Sequence, residues 1–96
     1  MVNVTYAITV CNEIEEITRL VNFLHPRIKS DDEILIQYDE GGVTDDVMGY
    51  LRIINDLHSN IRVIGFPLNK DFASYKNNLK NHAQGIFIFQ IDADEI

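Results

Sequence analysis

The sequence predicts an α/β domain in which strands and helices alternate, giving a parallel or mostly parallel four-stranded sheet with helices on its faces. Three observations predict it. β-branched and aromatic runs of strand length recur at residues 2–10, 33–38, 61–66 and 86–91. Between successive runs lie segments whose apolar residues fall at helical spacing, each opened by a residue able to cap a helix. No repeat or low-complexity stretch interrupts the alternation, and 96 residues suffice for one domain, so residues 1–96 read as a single unit.

The first strand carries Val4, Thr5, Tyr6, Ile8, Thr9 and Val10, with no helical stripe. Asn12 is placed to cap the first helix, whose apolar residues Ile14, Ile17, Leu20, Val21 and Leu24 share a face and whose Glu13, Glu15 and Glu16 sit at the positive end of its dipole. Pro26 stops it. The second run, 33–38, ends at Asp39 and a loop containing Gly41 and Gly42. Thr44 or Asp45 then caps a helix expected to bury Val47, Leu51, Ile54 and Leu57 and to end near His58-Ser59-Asn60. The third strand follows, then a loop at 67–70. Asp71 caps a helix with an expected buried stripe of Phe72, Tyr75, Leu79 and Ala83, closing at Gly85 before the fourth strand.

Composition sets the outer limits. A hydrophobic share of 46% with 24% charged residues is that of a globular domain. Fifteen acids against eight bases give a net charge of −7, which argues against nucleic acid as a partner. No apolar run approaches the roughly 20 residues of a membrane span, and the first residues lack the form of a signal peptide. Cys11 is the one cysteine, so no internal disulfide is possible and a reducing, cytoplasmic setting is expected.

In a parallel sheet of this kind ligands bind outside the carboxyl ends of the strands, which directs attention to residues 11–13, 39–43, 66–70 and 92–95. Asp92 and Asp94 flank Ala93 at the end of an apolar run, so a period of two turns both carboxylates to one face, where they could share Mg²⁺ or Mn²⁺ with the phosphates of a ligand. The same acids also read as solvated residues of a turn. Asp39 could accept hydrogen bonds from a ribose hydroxyl or a base, or simply open a glycine turn. Lys76 could reach a phosphate as a point charge or lie in solvent. The acids at 31–33 read as a cation-binding or water-facing cluster. His25, His58 and His82 each fall in the last turn of an expected helix, which suits an imidazole and forms no metal-ligand spacing. Cys11 reads as a small buried hydrophobe. No Gly-x-Gly-x-x-Gly follows the first strand, so the dinucleotide fingerprint is missing.

Four ordered segments, residues 6–15 with Cys11-Asn12-Glu13-Ile14-Glu15, residues 34–46, residues 69–77 with Asn69-Lys70-Asp71-Phe72-Ala73 and Lys76-Asn77, and residues 83–94 with Asp92-Ala93-Asp94, together resemble the N-terminal, donor-binding half of a family 2 glycosyltransferase of the GT-A fold, a Rossmann-like arrangement. Residues 6–15, ending in Cys11-Asn12-Glu13-Ile14-Glu15, resemble the family's opening strand and Asn-Glu turn. Residues 34–46 resemble its second strand, acidic glycine-containing loop and Thr-Asp helix start. Residues 69–77 resemble its Asn-x-Gly-Phe-Ala segment closing in Arg-Asn, and residues 83–94 its Ala-x-Gly, apolar strand and Asp-x-Asp. Asp71 stands where Gly is common, Lys76 replaces the usual Arg, and Glu40-Gly41-Gly42 replaces the usual Gly-Ser.

The resemblance implies a donor module for a nucleotide-diphospho-sugar. Asp39 would contact its base or ribose, Glu13, Lys76 and Asp92 would line the donor site, and Asp92 and Asp94 would hold Mg²⁺ or Mn²⁺ on the diphosphate. The family's acceptor-binding half and its general base have no counterpart in the sequence, so turnover is expected to need another chain. The acceptor stays unspecified. Two other readings compete. One is a non-catalytic module that keeps the fold and covers an exposed edge and apolar face by self-association, as a homo-oligomer. The other is a phosphoacceptor receiver domain, whose first strand should end in paired acids where this chain has Cys11-Asn12-Glu13.

Overall fold

Among the described residues seven elements alternate: β1 (Val4–Val10), α1 (Ile14–Leu24), β2 (Glu33–Asp39), α2 (Asp45–Leu57), β3 (Ile61–Phe66), α3 (Phe72–His82) and β4 (Phe87–Asp92). The computed structural model describes residues 1–93. All three strand pairings are parallel, in the order β3-β2-β1-β4. This is a Rossmann-like α/β arrangement. The sheet is parallel throughout its described strands, a stricter outcome than the sequence required.

The period of two along each strand sorts the core into two layers. Ile8 and Val10 of β1 and Ile34 and Ile36 of β2 face α1 and α2, where they meet Ile17, Leu20, Val21, Val47, Leu51 and Ile54. Ala7 and Leu35 face the other way, against Leu79 of α3, with Ile64 and Ala83 at the margin. Two helices therefore cover one face and a single helix the other.

The helices start and stop for local reasons, not always those expected. α1 begins one residue later than an Asn12 cap would allow: Glu13 is its N-cap and makes no side-chain bond to the helix, because that carboxylate is turned back onto the preceding turn. Thr44 precedes α2 but also fails to cap it, since its hydroxyl donates to Asp46. Asp71 does cap α3, accepting from the Ser74 amide at 3.1 Å and the Ser74 hydroxyl at 2.8 Å. Two stripe residues depart from expectation. Leu57 is the last residue of α2 and is 70% exposed, and Phe72, the first of α3, is 66% exposed. Both lie at helix ends, where the stripe runs out past its partner layer.

β4 is an edge strand, paired with β1 along one side. Ile86, Phe87 and Phe89 remain largely exposed, with Phe89 stacked on Tyr6 at a centroid distance of 5.9 Å. The strand runs one residue later than expected, which makes Asp92 its last member. Gly85 admits it to the sheet: a Cβ there would lie 2.5 Å from the Thr5 amide nitrogen.

The acids at 31–33 have a different role from that expected. Only Asp31 faces solvent; Asp32 is buried and accepts from the amides of Val4 and Lys29, at 3.2 and 3.0 Å. Glu33 is 4% exposed and collects the Thr5 hydroxyl at 2.7 Å, the Arg62 Nε at 2.9 Å and the Gln84 amide at 2.9 Å. Burial alone would raise its pKa, but these donors together hold it below the ordinary carboxylate value. On the same face Gln37, fully buried, donates to the Tyr75 carbonyl at 2.8 Å and accepts from Asn78 at 2.7 Å. Polar contacts thus pin α3 to the sheet where its apolar stripe is thin.

Candidate functional site

The strand order creates the site. From β1 the chain steps to β2 and β3 on one side, then crosses back to place β4 on the other side of β1. The connections leaving β1 and the helix leading into β4 cover opposite faces, so a crevice opens above the carboxyl ends of β1 and β4. A cleft of about 310 Å³ lies there. Thr9, Val10, Cys11 and Glu13 come from β1 and its turn, Asp39 from β2, Leu68 from the β3–α3 loop, Phe72, Tyr75 and Lys76 from α3, and Asp92 from β4.

Glu13, Asp39, Lys76 and Asp92, singled out from four separate stretches of sequence, therefore share one cleft. Asp94 lies outside the described residues.

Asp39 is held by its neighbours. Its Oδ1 accepts from the amides of Gly41 and Leu68, both at 3.0 Å, and its carbonyl accepts from those of Gly42 and Val43, at 3.1 and 2.9 Å. Gly42 has a reason of its own to be glycine: a Cβ there would sit 2.7 Å from Cys11 Sγ and 3.0 Å from Asp39 Oδ2. The missing side chain serves the closure of two loops on each other.

Glu13 organises the turn after β1, its Oε1 accepting from the amides of Cys11 at 2.7 Å and Asn12 at 3.1 Å. Cys11 is not the buried hydrophobe expected; it is partly exposed on the cleft wall. Burial, then the charges of Asp39 and Glu13, push its thiol pKa up, so the sulfur stays protonated and poorly nucleophilic. Tyr75 is 5% exposed and its hydroxyl donates to the Gln37 carbonyl at 3.1 Å. Burial, aided by the charge of Asp39, raises its pKa far above the usual phenol value.

The β3–α3 loop turns through Asn69 and Lys70, at φ of 45° and 60°. Left-handed backbone suits Asn, but costs a lysine about 1 kcal/mol. The Asp71 amide closes the turn onto the Leu68 carbonyl at 2.8 Å, leaving the Leu68 amide aimed at Asp39. Nothing in the sequence marked Lys70 for this conformation.

Lys76 is paired rather than lying free in solvent or waiting at a distance. Its Nζ lies 2.8 Å from Asp92 Oδ1, and the Thr9 hydroxyl donates to the same oxygen at 2.6 Å. Both ion-pair partners remain partly open to water, at 34% and 45% side-chain exposure. With three acids and one lysine on its walls, the cleft attracts cations, and an anionic ligand needs a counter-charge. Among the described residues no group of three His, Cys, Asp or Glu side chains could hold a metal ion. Mg²⁺, however, binds through one or two carboxylates together with phosphate oxygens and waters. Asp92 could be one such carboxylate.

The histidines keep to their helix ends, His25 and His58 as C-caps and His82 as the last residue of α3. Sequence spacing concealed one contact: the rings of His25 and His58 lie 4.0 Å apart, tilted by 42°, among none of the residues that line the cleft.

Fold and cleft define a class, the parallel α/β domain with an open crevice at the point where strand order reverses. A scan against protein-family models gives no match to the chain, and a search of curated proteins gives none either. No helix of the described residues is long and apolar enough to cross a membrane.

Proposed function

We propose that the chain is the donor-binding module of a glycosyltransferase resembling family 2, taking up a nucleotide-diphospho-sugar with Mg²⁺ or Mn²⁺. The observation that supports this most is convergence. Residues from four ordered motifs, Glu13, Asp39, Lys76 and Asp92, line a single crevice at the strand-order reversal. In this reading Asp39 receives the base or ribose, with Phe72 exposed at the start of α3 to offer a ring face. Glu13 fixes the turn beneath, and Lys76 serves the diphosphate. Asp92, with Asp94, holds the metal, which when bound neutralises the diphosphate and steadies it as a leaving group. The acceptor hydroxyl needs a general base from elsewhere, so transfer requires a further chain or segment. The cytoplasm, where nucleotide-sugars are plentiful, is the setting this reading expects.

Amide-shift NMR titration with UDP and GDP, with and without Mg²⁺, tests the proposal. Metal-dependent shifts at Asp39, Lys76 and Asp92, lost in Asp92→Asn, are expected. Equal affinity with and without metal, or no shifts at millimolar nucleotide, refutes it.

The exposed Phe87 and Phe89 on edge strand β4 favour a second reading, a non-catalytic module that self-associates. Dimerisation that rises with concentration, in a chain without nucleotide affinity, would select it.

A further inference from the structure

The contact between Lys76 and Asp92 has no place in a picture where one residue serves the phosphates and the other the metal. Both cannot do so while the ammonium lies 2.8 Å from the carboxylate oxygen. Both side chains are partly open to water, at 34% and 45% exposure, so the pair is an exchangeable one and not a locked structural bridge. Thr9 also holds Asp92, its hydroxyl donating to the same oxygen at 2.6 Å. The carboxylate is therefore the anchored partner and the long lysine stem the mobile one.

We propose that Lys76 and Asp92 form an electrostatic latch on the cleft. With the latch closed, Asp92 draws Lys76 away from an incoming phosphate, and Lys76 occupies the oxygen a cation would take. A divalent cation on Asp92 expels the ammonium, which then turns to the diphosphate. Reciprocally, a diphosphate that captures Lys76 takes the ammonium off the Asp92 oxygen, so each ligand favours the other beyond their own mutual attraction. This rests on the donor-site reading above and adds the order of events within it: metal-free diphosphate meets a cleft whose single lysine is already engaged.

Release of a partly exposed ion pair is worth little, corresponding to about a threefold to fivefold change in affinity at most. The test uses inorganic pyrophosphate, which carries the diphosphate without base or sugar. Its metal-free affinity is measured by NMR titration for the wild type, Asp92→Asn, Lys76→Met and the double variant. Asn keeps an oxygen acceptor for the Thr9 hydroxyl, and Asp92→Ser provides a second means of freeing the lysine should the first variant misfold. The latch predicts that Asp92→Asn binds metal-free pyrophosphate about threefold to fivefold more tightly than the wild type, and that the gain vanishes when Lys76 is Met. A gain of equal size in the Lys76→Met background would be simple removal of negative charge and overturns the latch alone, with pyrophosphate binding intact. No gain in Asp92→Asn also overturns it. If neither the wild type nor any variant shows pyrophosphate shifts in the cleft, with or without Mg²⁺, both the latch and the donor-site reading fall.

Discussion

Replacing Glu33 by Gln removes one charge from the best-connected buried side chain in the structure while keeping its shape. In the native fold this carboxylate serves the Thr5 hydroxyl, the Arg62 guanidinium and the Gln84 amide, joining β1, β2, β3 and the segment that leads into β4. Gln retains one oxygen, enough for Thr5 or Gln84 but with weaker acceptance, and it presents an NH₂ toward donors already in place. Breaking a fully buried pair costs about 3 to 5 kcal/mol. Arg62, however, has a side chain 34% exposed and can return to water, so only part of that applies. Loss of one charged hydrogen bond, plus strain among the remaining donors, gives a destabilisation of about 1.5 to 3 kcal/mol. The pH dependence fixes the mechanism. The folded Glu33 has a pKa below the ordinary carboxylate value, so its contribution is complete above the unfolded value and fades as pH falls through the folded one. Urea unfolding from pH 7 downward should therefore show a constant gap between wild type and Glu33→Gln until about pH 5, then convergence as the wild type's carboxylate protonates. A variant as stable as the wild type at neutral pH, or a gap that does not narrow in acid, would refute the reasoning.

Gly42→Ala should destabilise the chain by about 1 to 2 kcal/mol, the cost of forcing the Cys11 and Asp39 loops apart, and Cys11→Ala should recover part of it because the sulfur is the nearer obstacle. Strict additivity in urea unfolding would show that the two loops do not meet. Asp39→Asn keeps an oxygen for the amides of Gly41 and Leu68 but exchanges the other carboxylate oxygen for an NH₂. It should leave the fold intact and blunt the preference among UDP, GDP and ADP; unchanged selectivity would remove Asp39 from the base-binding wall.

How much of this was legible in the sequence depends on how local the cause was. Strand and helix alternation follows from periodicity and capping, and it fixed all seven elements to within a residue or two, including the Asp71 cap. The general position of the cleft followed from the alternation, because crevices lie at the carboxyl ends of parallel strands. What failed were assignments that depend on the partner across space. Asp32 and Glu33 looked like surface acids because charge counts ignore the amides and the guanidinium that surround them in the fold. Leu57 and Phe72 fit their helical stripes but fall at helix ends where no layer faces them. The Lys76–Asp92 pair joins residues sixteen apart across the cleft, and the His25–His58 pair joins the ends of two helices; neither leaves a signature in spacing.

The order β3-β2-β1-β4 also bears on how the chain comes to have a cleft at all. Thr9 and Asp92, whose side chains meet on its wall, are 83 residues apart, a separation that spans most of the described residues. The first three strands and two helices can collapse through neighbouring contacts and already hold most of the larger apolar layer. Closing the long loop that brings β4 to β1 is the costlier step entropically, since it must be made before its contacts repay it. A nascent chain would thus possess much of its core before it possesses a binding crevice, and ligand affinity would report the arrival of the final strand.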